Sequence, residues 1–319
     1  MLEKISTRAA YGEALLEYGI PNERVYALEA DVAGCTMSGV FGEACPERFF
    51  EIGIAEANMI AMGAGFAANG KIPVCHAFGL FTAGRAYDQI RNSVAYPKLN
   101  VKIVGTNVGL TVGEDGPTHQ CIEDLALMRV VPNMVVLSPC DGYETKQAVK
   151  AMLEYEGPVF MRTGRPAVET VTNRIQDYHF QIGKGITLAE GNDVTIIATG
   201  LMVQEALKAS DLLKEKEIYA RVINIHTIKP IDREIIIRAA RETKAIVTAE
   251  EHNIIGGLGS AVAEVICEEC LVPLEYVGVQ DKFGHSGEAW EVMQAYGLTA
   301  EHIAEKAIRA VSRKEKALR

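Results

Sequence analysis

The sequence predicts an α/β protein made of two three-layer units, and three observations predict it. Helical and strand-like segments alternate along the whole chain, the signature of parallel sheets covered by helices. The strand segments are mostly apolar runs, as in Val101 to Thr106, which suits strands buried on both faces. The length of 319 residues is enough for two domains with cores of their own. The expected division is residues 1–170, a linker over 171–183 and a second unit over 184–319.

Composition narrows the class of function. The chain is 48% hydrophobic and 23% charged, as ordinary globular proteins are. Its net charge is −10 and its only basic cluster is scattered near Lys314, which argues against nucleic acid as the main partner. No apolar run is long enough to cross a bilayer, and the opening MLEKISTRAAYGEALLEYG is helical and acidic rather than a signal peptide, so a cytoplasmic protein without a membrane partner is expected. The seven cysteines are odd in number and sit mostly in apolar segments, as reduced core thiols do. Cys267 and Cys270 form a lone CxxC in a helical pattern; no second pair completes a metal site, so they read as structural.

In chain order, a helix spans about Ser6 to Tyr18 and a strand Val25 to Leu28. Asp31, Cys35 and Thr36 follow that strand, where loops of an open α/β sheet line the ligand crevice; a turn-capping Asp is the plainer reading. A short strand Phe49 to Ile52 leads to a helix from about Ala55 to Ala68 that is rich in Ala and Gly. Each glycine there costs about 1 kcal/mol against alanine, so the pattern implies close approach of the sheet or of a second subunit. Glu56 lies in the first turn, where the helix dipole alone would favour it. Strand Ile72 to His76 ends near Phe78 and Phe81, and a helix is expected from Thr82 to Ala95. Two Phe at that spacing usually belong to a core, but these follow a strand end with Gly79 between them.

Strand Val101 to Thr106 leads into the Gly-rich loop Gly109 to His119, which holds Asp115 and His119 together. A capping or core histidine is the plainer reading of His119. Strand Met134 to Leu137, helix Tyr143 to Tyr155 and strand Val159 to Arg162 complete the first unit; Arg165 follows the last strand, placed to grip an anion or to form a surface ion pair. Residues 166–183 lack periodicity. In the second unit, strands are expected at Val194–Ala198, Ala220–Ile225, Ala245–Thr248 and Leu274–Val277. Helices are expected at Met202–Lys214, Arg233–Arg241, Gly257–Cys267 and Ala300–Val311. Gly256-Gly-Leu-Gly259 lacks the full GxGxxG and its downstream acid, so it reads as a tight turn rather than a phosphate cradle.

A Glu at a helix start, paired Phe beyond the next strand, GEDGPTHQ beyond the next and an Arg beyond a later one form a specific order. With GIAEANM, EEHNIIGGLGSAV and YGLTAEHI, it resembles the C-terminal half of transketolase over essentially the whole chain, and more loosely the same half of 1-deoxyxylulose-5-phosphate synthase. The resemblance implies a thiamine-diphosphate pyrimidine-binding domain followed by a transketolase C-terminal domain. It assigns Glu56 to the coenzyme's aminopyrimidine nitrogen, where a carboxyl group promotes the tautomer that activates the thiazolium carbon. It assigns Phe78 and Phe81 to the ring pocket and Asp31 to the coenzyme's surroundings. Asp115 and His119 would bind substrate hydroxyls, with His119 also catalytic, and Arg165 and Arg8 the substrate phosphate.

Two positions depart from the family. Asn107 stands where a histidine is usual, and Gly84 or Arg85 where a tyrosine usually follows the paired Phe. Both leave the coenzyme chemistry intact and bear on which sugar phosphate is taken. The family's GDG motif, which holds Mg²⁺ and the diphosphate, is absent. The resemblance therefore implies a separate large subunit carrying GDG, an α2β2 assembly, and transfer of a two-carbon ketol unit between sugar phosphates across a shared site. The alternatives are a β-type subunit of a 2-oxo acid dehydrogenase, a 1-deoxyxylulose-5-phosphate-synthase-like enzyme, or a non-catalytic regulatory homologue. Keeping Glu56, Asp115, His119 and Arg165 together speaks against the last.

Overall fold

The computed structural model describes residues 4–176 and 178–317. In chain order the strands are β1 (Lys4–Ser6), β2 (Val25–Glu29), β3 (Phe49–Glu51), β4 (Ile72–Phe78), β5 (Lys102–Thr106), β6 (Val135–Leu137) and β7 (Val159–Thr163). There follow β8 (Ala167–Glu169), β9 (Ile186–Ala189), β10 (Val194–Ala198), β11 (Ala220–Asn224), β12 (Thr227–Lys229), β13 (Ile246–Asn253) and β14 (Leu274–Val279). One seven-stranded sheet has the order β12-β6-β7-β5-β4-β2-β3, and a five-stranded sheet the order β14-β13-β10-β11-β9. The first is parallel except for its edge strand β12.

Alternation along the strands explains the layering. On β5, Ile103 enters a core with the helix Glu56–Ala68, while Val104 enters one with the helices Thr7–Gly19 and Gly142–Glu154. On β10, Ile197 joins the same core as Ile103, and Ile196 faces the helices Met202–Lys214 and Ala300–Ala317. One apolar layer is thus shared between the two sheets. The helix Asp124–Val130, absent from the sequence reading, fills that layer with Leu125 and Met128.

The shared layer has a counterpart in strand pairing. The second half of the chain supplies β12, which pairs antiparallel with β6 through Thr227 and Leu137. The aperiodic stretch after Pro166 is fastened rather than loose. β8 pairs with β1, and Asp141 Oδ2 accepts from the backbone N of Val171 and of Thr172, each at 2.7 Å.

The helix expected from Thr82 to Ala95 is instead two π-helical stretches, Phe81–Arg85 and Ile90–Ala95, around a short α turn Tyr87–Gln89. Thr82 Oγ1 donates back to the carbonyls of Phe78 and Gly79, a local competitor to regular helix bonding. In the small-residue helix, a Cβ on Gly63 would lie 2.7 Å from Cys75 Sγ, so this glycine lets the helix approach β4. Gly65 meets nothing and Ala61 is exposed, so the opposite face is open.

Candidate active site

Because β2 to β7 run parallel, their carboxyl ends share one edge, where ligands bind in open α/β sheets. β3 lies on one side of β2 and β4 on the other, so the chain changes direction there and leaves a crevice. Asp31, Glu56, Phe78, Phe81, the 109–119 loop and Arg165 all lie at or just beyond strand ends on this edge. Arg8 joins them because Ser6 caps its helix, accepting from Ala9 N at 3.2 Å, and Thr7 Oγ1 accepts from Gly164 N at 2.7 Å beside β7.

The residues expected to face the coenzyme form one contiguous group. Glu56 is only 5% exposed, and its Oε1 lies 3.0 Å from Arg85 Nη1. The Arg85 guanidinium sits 4.0 Å above the Phe81 ring, a cation–π contact. Phe81 stacks on Phe78 with centroids 5.7 Å apart, and His119 meets both rings edge-on at 5.2 and 5.9 Å. Thr118 Oγ1 lies 2.9 Å from His119 Nδ1. Gly79 permits the paired Phe to lie there, since a Cβ would fall 2.5 Å from Val108 Cγ1.

The residues expected to face the substrate form a second group across the edge. Arg165 Nη1 donates to Val112 O at 2.8 Å and pairs with Asp115 Oδ2 at 3.2 Å. Arg8 Nη1 donates to Cys35 O at 3.2 Å and Asn107 Oδ1 at 3.1 Å. Burial, then repulsion from Arg165, holds the Arg8 guanidinium below its ordinary value. Two like charges are thus within electrostatic reach, the arrangement an anionic ligand relieves. Asn107 takes a left-handed backbone with φ 52°, which asparagine tolerates better than most residues.

Asp31 stands somewhat apart. Its φ is 63° and its backbone N donates to Glu51 Oε1 at 2.7 Å. Among the described residues, its side chain makes no hydrogen bond or ion pair with either group. Behind it, Thr36 Oγ1 donates to buried Glu29 at 2.6 Å and Ser38 Oγ does so at 2.5 Å. Burial lifts the Glu29 carboxyl to about 7.

The sequence missed Arg85 as the partner of Glu56; the two are 29 residues apart and meet only through the π-helical turn. It also did not show what fills the Gly256–Gly259 turn. Glu250 Oε2 accepts from Leu258 N at 2.7 Å and its Oε1 from Gly259 N at 2.8 Å. The chain's own carboxylate therefore occupies that helix start. Among the described residues, no cluster of three or more His, Cys, Asp or Glu has the geometry of a metal site, and no helix is long and apolar enough to cross a membrane.

A two-sheet α/β chain with a buried carboxyl beside an aromatic stack, and two arginines across the same edge, defines a ligand-binding protein of the doubly wound class. Residues 3–170 match the family model of the transketolase pyrimidine binding domain, and residues 183–303 that of the transketolase C-terminal domain. The chain belongs to the transketolase family, whose members are transferases, and it is of the C-terminal-subunit type. It is 50% identical over 300 residues to a putative transketolase C-terminal section of Methanocaldococcus jannaschii, covering 94% of each chain. It is 44% identical over 314 residues to a 6-deoxy-6-sulfo-D-fructose transketolase subunit of a Clostridium species, covering 98% of this chain and 97% of that one. A solved structure described as a split gene transketolase, inactive beta4 tetramer, superposes with TM-score 0.90 at 48% identity, over 97% of this chain and 99% of that one. The family implies dependence on thiamine diphosphate, and the split-chain relatives imply an N-terminal partner subunit in a multimeric assembly.

Proposed function

We propose that this chain works in the cytoplasm with a GDG-bearing large subunit as an α2β2 transketolase. The complex moves a two-carbon ketol unit reversibly from a ketose phosphate to an aldose phosphate, as in pentose phosphate metabolism. The partner holds Mg²⁺ and the diphosphate; among the described residues no group of three or more His, Cys, Asp or Glu could hold a metal ion. The observation that carries this reading is the buried Glu56 carboxyl beside the Phe78–Phe81 stack, with Arg8 and Arg165 across the edge.

The residues fit an aminopyrimidine. A flat ring needs apolar faces and a carboxyl group to meet its ring nitrogen, and Phe78, Phe81 and Glu56 offer these. Thiamine diphosphate, when bound, supplies the carbon nucleophile and electron sink that cleavage beside a carbonyl requires. Glu56 would hold the proton at the pyrimidine ring nitrogen, which would compete with Arg85 Nη1 for the Glu56 carboxylate oxygen. Asp31 lies at the rim of this pocket. His119 and Asp115 hydrogen-bond substrate hydroxyls, with His119 close enough to the rings to exchange a proton with substrate oxygen. Arg165 and Arg8 hold the terminal anion.

The test is co-expression with a GDG-bearing chain, measuring thiamine diphosphate binding and ketol transfer, with this chain alone as control. Ketol transfer by the pair and weak coenzyme binding by this chain alone support the reading; tight binding by this chain alone sinks the shared site. Asn107, which takes an Arg8 donor where the family usually has histidine, favours one further reading of the substrate. The anion could be a sulfonate, as the name of the Clostridium relative indicates for that protein. Comparing sugar phosphates with a 6-sulfo ketose in the same assay separates the two.

A further inference from the structure

We propose that Glu251, a residue of β13 in the second sheet, is the positioning residue for the substrate loop of the first. This rests on the transketolase reading above. The loop from Gly109 to Gln120 is closed at its neck, where Gly109 N donates to Cys121 O at 2.7 Å and Val108 bridges Cys121. Glu251 enters at that neck. Its Oε1 accepts from Thr111 N at 2.6 Å, a short bond from a buried amide. Gly109 makes room for it: its φ is +76°, and a Cβ there would lie 2.2 to 2.6 Å from the Glu251 carboxylate atoms.

The carboxylate is itself fixed. Its side chain is buried, and its own backbone O accepts from Arg162 Nη2 at 3.3 Å. Arg162 Nε in turn lies 2.9 Å from Asp124 Oδ2. Next along, Asn253 N donates to Ile122 O at 2.8 Å, so the end of β13 runs beside the loop's exit. The far side of the loop is also held by the second half of the chain. Gln120 Nε2 donates to Leu110 O, Gly113 O and His285 O. A Cβ on Gly116 would fall 2.3 Å from Ser286 Oγ.

The consequence concerns substrate binding. Asp115 and His119 lie on this loop, and Arg165 reaches it through Val112 O and Asp115. Without Glu251, Thr111 N would be a buried donor without a partner, and the first turn of the loop would move to find one. The C-terminal domain thereby acts on substrate without touching it. A group that presets a loop stabilises ground and transition states alike, so its loss raises KM more than it lowers kcat.

The test uses the assembled two-subunit protein with Glu251→Ala, which removes the acceptor, and Glu251→Gln, which keeps one carbonyl oxygen. Hydrogen exchange is read at 109–120 beside ketol-transfer kinetics. We expect faster exchange confined to that loop and a KM for the sugar phosphate raised about tenfold, with a smaller fall in kcat, since His119 lies at the far end of the same loop. Both effects should be smaller in Glu251→Gln. Unchanged exchange at Thr111 in Glu251→Ala overturns the proposal, as does an unchanged KM with faster exchange. A fall in kcat alone, not rescued by Gln, also overturns it. Absence of ketol transfer in the unmodified complex would instead reject the functional reading, and the exchange result would still decide whether Glu251 holds the loop.

Discussion

Glu56 and Glu250 are both buried carboxyls at the start of a helix, one in each half of the chain, and they are finished differently. Glu250, on β13, accepts from the Leu258 and Gly259 amides that start the helix Leu258–Glu269, and it is buried. Glu56 has one ionic partner, Arg85, whose side chain is 54% exposed. A carboxyl satisfied by fixed amides is structural; one satisfied by an exposed, flexible cation can exchange that partner for a ligand. The same contrast holds for the sheets. The first gathers charged and aromatic groups at its carboxyl edge, of which Asp31, Arg85 and Asp115 are exposed, while the second sheet's β13 spends Glu250 and Glu251 on internal contacts.

The comparison breaks first at Glu56. Glu56→Ala should lower ketol transfer by the assembled protein by about 10²- to 10⁴-fold, the range expected of a lost acid–base group. Circular dichroism and the thermal midpoint should stay near those of the unmodified chain. Near-normal turnover would place Glu56 with Glu250, among structural carboxyls.

On the other side, Gly257→Ala should leave turnover intact when folded but destabilise the chain. Its Cβ would fall 2.0 Å from Glu250 Oε2, with no room to shift because Leu258 and Gly259 hold that carboxylate. Overpacking of this kind costs about 1–3 kcal/mol, read as a lower midpoint in denaturant titration. A neutral result would mean that the Glu250 cradle is loose.

These two sites also show how far sequence reasoning reached. The long apolar strands β4, β5 and β10 and the amphipathic helices Met202–Lys214 and Arg233–Thr243 follow from periodicity, which is a local property. The helices Asp124–Val130 and Ala289–Ala295 are two turns each, too short for a period to show. β12 is an edge strand of three residues whose partner lies 90 residues away, so nothing local marks it. Most of the candidate site residues could be placed because they follow strands of the parallel sheet, which brings such positions to one edge, whereas Arg8 follows β1 of a separate two-stranded pair. The partners of these residues could not. Arg85 reaches Glu56 only through a π-helical turn, Glu251 reaches Thr111 across 140 residues, and the Gly256–Gly259 turn gave no hint that Glu250 fills it.

Arg85 sharpens the contrast with a smaller effect. Arg85→Met keeps an apolar stem over Phe81 and removes the cation from Glu56. The Arg85 side chain is 54% exposed but that of Glu56 only 6%, so the loss of Arg85 leaves a buried carboxyl without its cation and should cost about 1 kcal/mol, between an exposed and a buried pair. Coenzyme affinity of the assembled protein should be retained or tightened, because the ring nitrogen no longer competes with a guanidinium. A fall of tenfold or more in affinity, read by fluorescence titration, would make Arg85 a coenzyme contact rather than an exchangeable partner.

The smallest effect separates closed carboxyls by titration. Glu29 resembles Glu250 in being satisfied from within, by Thr36, Ser38 and Ala30 N. Burial raises Glu29, Glu250 and Glu251 to about 7 from an ordinary 4.5. A raised carboxyl contributes stability that is complete below 4.5 and is lost as pH climbs through 7, because the folded chain keeps the proton that the unfolded chain has released. His76, lowered to about 4 by burial, works in the acid direction, its contribution complete above 6.5. Lys102, lowered to about 7 by burial, gains stability with pH over the same alkaline window and offsets part of the carboxyl loss. A difference between two chains cancels both. Glu29→Gln cannot ionise, and its amide can meet the two hydroxyls once they rotate to accept. Its thermal midpoint should therefore fall less between pH 6.5 and 8 than that of the unmodified chain, by an amount under about 1 kcal/mol. Parallel pH curves for the two chains would mean that Glu29 is already ionised at pH 6.5, held as an anion by its three donors, and that burial alone does not set the behaviour of a closed carboxyl in this fold.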